Sequence, residues 1–310
     1  MISKKLLLIF FFSFAFSCAF AQYDLIVAQD GSGNYTTLQA AVNAAPAGLT
    51  TPYKIFIKNG RYREKINIPS TKTFIQLIGE SVANTIVYYD DAAYMAGGTS
   101  GSASFTVNAN DFSALNITFA NTYDYDAGVA GGQTSIQAVA VLVNGDRVAF
   151  KNCRFLGNQD TLYQNKKGYY KNCYIDGIID FIFGGGAAIF DSCTVYPKTR
   201  TTGGSSYITA ANTPAGQAYG YVFRDCKVIG NPGGTAYVMG RPWQNSTGSS
   251  IPYAENKVVF INSILNSNIS PAGWSTWDAG TNTALITFGE YQSKYFNNAA
   301  VDVSSRVPWS

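Results

Sequence analysis

Hydrophobic positions change their rhythm twice along the chain. From Leu6 to Phe16 they run almost unbroken. Between Tyr23 and Ala45 an apolar triplet, Leu25-Ile26-Val27, gives way through Asp30-Gly31-Ser32-Gly33-Asn34 to Leu38, Ala41, Val42 and Ala45. The last four recur at helical spacing, so the pattern predicts a strand, a turn and a helix over 36–45 that Pro46 ends. From Tyr53 onward no helical period is found. Short β-rich runs replace it at Lys54–Lys58, Phe74–Ile78, Thr85–Tyr89, Phe105–Val107 and Gln137–Val143, parted by Gly, Asn, Asp and Ser.

Within this β-rich region one word is repeated. Phe150-Lys151-Asn152-Cys153, Tyr170-Lys171-Asn172-Cys173 and Phe190-Asp191-Ser192-Cys193 follow each other at intervals of twenty residues. Phe223-Arg224-Asp225-Cys226 and Phe260-Ile261-Asn262-Ser263 continue the word after longer insertions, and Leu115-Asn116-Ile117 is a degenerate earlier copy. A fixed period near twenty with short β segments signals a solenoid whose coils bury their faces only by stacking. An antiparallel sandwich tolerates variable spacing but predicts no identical word in register. The expectation is an all-β fold, a single-stranded parallel β-helix, with the helix at 36–45 capping one end against edge pairing.

The register makes a column of Cys153, Cys173, Cys193 and Cys226. Adjacent strands lie ~4.8 Å apart, inside the Cα window of a disulfide. A Cys173–Cys193 bridge and a row of inward thiols both fit. Zinc does not, because the spacings are too long and regular.

The first apolar run has a separate meaning. Lys4 and Lys5 precede it and Ala19-Phe20-Ala21 follows it, the pattern of a secretory signal peptide over 1–21 cut after Ala21. The run is short for a membrane anchor and no later segment spans a bilayer, so residues 22–310 are read as an exported domain, periplasmic or secreted. The 310-residue chain carries a formal charge of +3. Removing the leader with its two lysines leaves 20 Lys and Arg against 19 Asp and Glu, a net charge of +1. That is no nucleic-acid footprint.

Composition then prunes the chemistry. The chain contains no histidine, which excludes Ser-His-Asp and Cys-His nucleophile systems and imidazole metal sites. Acid–base work falls to carboxylates, Tyr or Lys. The coil register offers a pair: Asp160 lies seven residues after Cys153 and Asp180 seven after Cys173, so they stack on neighbouring coils. Gln159 precedes Asp160, and Gln137 lies about one coil further back. Stacked carboxylates repel, splitting into an acid and a carboxylate, as an aspartyl hydrolase needs, with Gln amides available to an oxyanion. A ladder of Asp residues capping turns accounts for the spacing equally well.

The motifs break that tie. Gly60-Arg61-Tyr62-Arg63-Glu64, Gln137-Ala138-Val139-Ala140-Val141, Gln159-Asp160-Thr161-Leu162-Tyr163, Asp180-Phe181-Ile182-Phe183-Gly184 and Gly240-Arg241-Pro242-Trp243 occur in an order and spacing that resemble the pectin methylesterases, bacterial type. Val27-Ala28-Gln29-Asp30-Gly31-Ser32-Gly33, Gly273-Trp274, Phe288-Gly289-Glu290-Tyr291 and Arg306-Val307-Pro308-Trp309 extend the likeness over essentially the whole mature chain. The resemblance implies a right-handed parallel β-helix that demethylates methyl-esterified homogalacturonan, giving pectate and methanol, without metal or organic cofactor. It makes Asp180 the nucleophile, Asp160 the general acid and then base, and Gln137 and Gln159 the oxyanion donors. Arg241 holds Asp180 ionised, and Trp243 and Tyr163 line the sugar cleft. Pectin is the expected partner, with no nucleic acid and no membrane span, and the protein is read as a monomer.

Other segments carry weaker expectations. Gly60–Glu64 is read as structural, with Glu64 pairing locally, and Asn121–Gln133 as a long loop bordering the cleft. Lys198 and Arg200 are read as a solvated basic turn, ahead of a role in greeting substrate carboxylates. Thr99-Ser100-Gly101-Ser102-Ala103 and Tyr207-Ile208-Thr209-Ala210-Ala211 depart from the family pattern. The stop at Ser310, soon after the Arg-Val-x-Trp element, fits a C-terminal truncation. A lyase or glycosidase on the same fold, or a non-catalytic polysaccharide-binding solenoid, is the competing class.

Overall fold

The computed structural model describes residues 23–230, 233–250 and 253–308; the predicted signal peptide lies outside them. Among the described residues the chain winds through three sheets of ten, seven and nine strands, and every ladder between these strands is parallel. The ten-stranded sheet runs from Leu25–Val27 to Thr287–Tyr291, the seven-stranded from Ile66–Ile68 to Tyr237–Gly240, and the nine-stranded from Gly60–Arg63 to Lys294–Tyr295. From Tyr53 to Gly240 each coil places one strand in each sheet, while the first and last coils are incomplete; this is the parallel β-helix that the repeat predicts, and it is right-handed.

Each letter of the repeated word has a physical job. The aromatic points inward, and Phe150, Tyr170, Phe190, Phe223 and Phe260 form one stack with centroid separations of 5.3, 4.7, 4.5 and 4.4 Å and nearly parallel rings. The third residue turns the chain from one sheet to the next in the left-handed region: Asn152, Asn172, Ser192, Asp225 and Asn262 have φ between 50° and 55°. Short polar side chains tolerate this conformation better than most. The cysteine then returns to the core. The four described cysteines are buried and free, so the Cys173–Cys193 bridge is absent. Their sulfurs face backbone carbonyls, Cys193 Sγ to Tyr170 O at 3.3 Å and Cys226 Sγ to Phe190 O at 3.2 Å, and serve as core filling.

Helix α1 spans Leu38–Ala44, two residues later than predicted, and sends Leu38, Ala41 and Val42 into the end of the core. Its first turn lacks a local cap; the Glu64 carboxylate accepts from Leu38 N (2.8 Å) and Gln39 N (3.0 Å) instead. Glu64 therefore pairs across the fold, not locally as expected, and puts negative charge where helix amides converge.

The expectation of no helix after Tyr53 is corrected by α2, Ala93–Ala96, and α3, Tyr125–Ala130, both in excursions from the coils. Each is too short for a periodic signal. The second lies inside the stretch expected as loop, and Asp124 caps it through Ala127 N at 2.9 Å. The run predicted as a strand from Gln137 becomes one only at Val141–Val143. Ala140 N and Val141 N both donate to Thr161 O, so the ladder slips there and leaves Gln137 on irregular backbone. No helix among the described residues is long and apolar enough to cross a membrane.

Candidate active site

The site lies where strands of the seven-stranded sheet begin. Leu162 pairs with Ile182, which sets Asp160 and Asp180 one above the other two residues upstream. Both occupy the left-handed region, with φ of 66° and 51°, a conformation that Asp accepts more readily than most residues. Backbone bonds continue the stacking, Asp160 N to Ile179 O at 3.0 Å and Ala138 N to Gln159 O at 3.1 Å. Gln137, Gln159, Asp160, Asp180 and Arg241 are thereby brought to one cleft of about 190 Å³, together with Thr99.

Arg241 arrives from two coils further on. Its Nε donates to Asp180 Oδ1 at 2.9 Å and its Nη2 to Oδ2 at 2.6 Å, a bidentate charge-assisted pair. The guanidinium is held between the rings of Tyr207 (4.2 Å) and Trp277 (4.1 Å). Arg241 N donates to Thr209 O at 3.0 Å. A Cβ on the preceding Gly240 would collide with the Thr209 hydroxyl, so glycine lets the strand approach closely there.

The two carboxyls differ sharply. Asp160 makes no side-chain hydrogen bond among the described residues and lines the cleft. Burial and then the neighbouring Asp180 charge push it well above the usual carboxylate range, only partly opposed by Arg241. Burial raises Asp180 too, but its hydrogen bonds and charge attraction to Arg241 work against the rise. Within this pair the environment favours a proton on Asp160, while the Arg241 fork favours the charge on Asp180.

Aromatic rings build one wall. Tyr163 stacks on Phe183 at 4.2 Å, and Trp243 meets both edge-on at 6.2 and 5.8 Å. Trp243 lines the cleft, whereas Tyr163 packs against Phe183 and Trp243 beside it. Sequence reasoning missed Thr99, Tyr207, Phe183 and Trp277. Phe183 had a signal in the alternation of Asp180-Phe181-Ile182-Phe183, where Phe181 and Phe183 lie either side of an inward Ile182; Phe181 is nonetheless wholly in the core and Phe183 faces the cleft. Trp277 comes from an aperiodic loop three residues beyond the noted Gly273-Trp274.

Lys198 is not in a solvated turn. It is tied to Asp176, Asn158 and Gly157. Arg200 is half-buried and contributes a favourable charge to Asp180 from a distance. The region around Asn121 does border the site. Asn121 Nδ2 donates to Asp91 O, Ser102 O and Val139 O, joining three segments, and Tyr123 and Tyr125 pack in one cluster with Tyr207, which stacks on Arg241.

A carboxylate held bidentately by arginine, a second buried carboxyl with no hydrogen bond among the described residues and two amides, all in one cleft, suit a carboxylate-driven hydrolase on a parallel β-helix. Residues 24–310 match the pectinesterase family model. Pectinesterase 31 of Arabidopsis thaliana is 36% identical over 296 residues, covering 92% of this chain and 86% of that protein. The solved pectin methylesterase from carrot superposes with a TM-score of 0.83 at 32% identity, covering 94% and 88% of the two chains. A pectin methylesterase solved in complex with a hexasaccharide gives 0.81 at 32%, with 92% of each chain covered. The chain belongs to the pectinesterase family. These relatives give the narrower bacterial-type expectation no support, since the curated one and the carrot enzyme are from plants.

Proposed function

We propose that this chain removes methyl esters from methyl-esterified homogalacturonan, releasing methanol and leaving pectate. The observation that carries the reading is the Asp180 carboxylate held bidentately by Arg241 beside a partner-free Asp160.

An Asp180 oxygen attacks the C6 carbonyl, and the carbonyl electrons move onto its oxygen, where the amides of Gln137 and Gln159 donate to the oxyanion. The intermediate collapses and the C–OCH3 bond breaks. Asp160 gives its proton to the departing oxygen, so methanol leaves and an acyl-Asp180 remains. Asp160, now a carboxylate, takes a proton from water as that water attacks the acyl carbon, and Asp180 departs as carboxylate. Arg241 keeps Asp180 ionised and oriented, and Tyr163 and Trp243 offer faces for sugar rings.

Export by the leader over 1–21 suits a substrate outside the cytoplasm, and the domain over 22–310 acts as a monomer on a polysaccharide chain. The test is methanol release from highly methylated pectin with Asp180→Asn alongside. Methanol without new reducing or unsaturated chain ends is the expected result. New chain ends would identify a glycosidase or lyase, and pectin binding without methanol would identify a binding solenoid.

A further inference from the structure

The strongest polar cluster outside the cleft is wrapped round the segment that delivers Gln159 and Asp160. Asp176 is buried, 8% exposed, in the nine-stranded sheet, and its Oδ1 accepts from Gly157 N at 3.0 Å. Four residues on, Thr161 Oγ1 donates to the backbone carbonyl of the same Asp176 at 2.9 Å. Residues 157 and 161 are therefore both tied to one residue, with Gln159 and Asp160 between them. Lys198 completes the arrangement: its Nζ donates to Gly157 O and to Asn158 Oδ1 (3.0 Å) and lies 3.4 Å from Asp176 Oδ1. Two of the ammonium's N–H donors are taken by the two residues just before Gln159, and its charge faces Asp176. Lys198 is itself fixed, its N on Gly177 O (2.8 Å) and its carbonyl accepting from Ser206 Oγ (2.7 Å).

A largely buried ion pair is a poor way to gain stability, since apolar side chains of similar volume do as well or better. What this pair offers is placement. Asp160 adopts a left-handed conformation and its carboxyl makes no hydrogen bond of its own among the described residues, so its position depends on the backbone that carries it. We propose that Lys198 and Asp176 are positioning residues that hold the Gly157–Thr161 segment so that the Gln159 amide and the Asp160 carboxyl reach the reacting ester. The proposal rests on the roles given above to Gln159 and Asp160.

Steady-state methanol release tests it, using the wild-type chain, Lys198→Met, Lys198→Arg and the charge-neutral double variant Lys198→Met/Asp176→Asn, each with its Tm. Displacement of a reacting group by a fraction of an ångström predicts a fall in kcat of roughly ten- to a hundredfold for Lys198→Met, with KM within about twofold of wild type. Lys198→Arg, which keeps the charge and the donors, retains most of kcat. The double variant removes the orphaned Asp176 charge and so recovers Tm lost in Lys198→Met, but not kcat, because Gly157 O and Asn158 Oδ1 still lack their donor. Unchanged kcat in Lys198→Met, or kcat that recovers with Tm in the double variant, overturns the positioning role alone. If Lys198→Met does not fold, kcat of the double variant decides. A wild-type chain that releases no methanol overturns the esterase reading and this role with it.

Discussion

Two aspartates in salt bridges, eleven residues apart in sequence, are driven in opposite directions. Asp180 is gripped by Arg241 and still titrates above its ordinary value, because the pair is enclosed: Arg241 is 21% exposed and lies between two aromatic rings. Asp191, on the outer face of the ten-stranded sheet, accepts from Tyr169 (2.7 Å), pairs with Lys171 (3.0 Å) and Arg224 (2.7 Å), and is held well below the usual carboxylate range. It is covered by these polar side chains themselves, which reach water. An ion pair does not dictate a carboxylate's pKa; the balance between desolvation and the number of donors does. On the proposed roles, one region uses its carboxylates for reactivity and the other for holding the coils together.

The largest contrast is in activity. Asp180→Asn should lower methanol release by about a thousandfold or more while Asp191→Asn leaves it near wild type. Asp160→Asn should also lose most turnover, and wild-type rates in either cleft variant would erase the distinction. Arg241→Lys, which keeps the charge but loses the fork, should cost about ten- to a hundredfold in kcat. It should also move the acid limb of the pH profile upward, because Asp180 loses part of what opposes its protonation. An unmoved limb would show that Arg241 does not govern the nucleophile. With no histidine in the chain, imidazole contributes to neither limb, and the profile should follow the coupled Asp160–Asp180 pair.

Stability should separate the regions by sign. The raised Asp160 is no burden below its ordinary value of 3.8 but destabilises as pH climbs through its folded-state pKa. Asp160→Asn should therefore raise neutral-pH stability by about 1–2 kcal/mol, a gain that disappears in acid. The depressed Asp191 stabilises above 3.8 and stops doing so as pH falls through its lower folded value. Asp191→Asn should cost about 1 kcal/mol at neutral pH, a deficit that closes in acid. Thermal melts across pH read both, and shifts of the same sign would refute the contrast. The smallest effect expected is from reductant, which should leave Tm unchanged because the four described cysteines are already thiols.

Much of this was legible because the fold is periodic. The word Phe-x-Asn-Cys encodes an inward ring, a left-handed turn and an inward thiol, so counting from it stacks Asp160 over Asp180. Gln137, Gln159 and Arg241 were legible only through the ordered motifs. The excursions between coils obey no period, which hid α2, α3 and Trp277. The Glu64 cap and the Lys198–Asp176 clamp join residues 20 or more apart whose pairing no local rule predicts. Desolvation of Asp180 was equally invisible, since it is set by rings contributed from later coils.

The reach of Arg241 has a consequence in time. Its partner Asp180 precedes it by 61 residues, and Trp277, which closes over the guanidinium, follows later still. A chain emerging from its N-terminus can wind the coils that stack Asp160 on Asp180 well before the guanidinium that orients the nucleophile is present. On the proposed roles the cleft lacks the group that fixes Asp180 until the late coils dock, so catalytic competence should report completion of the winding.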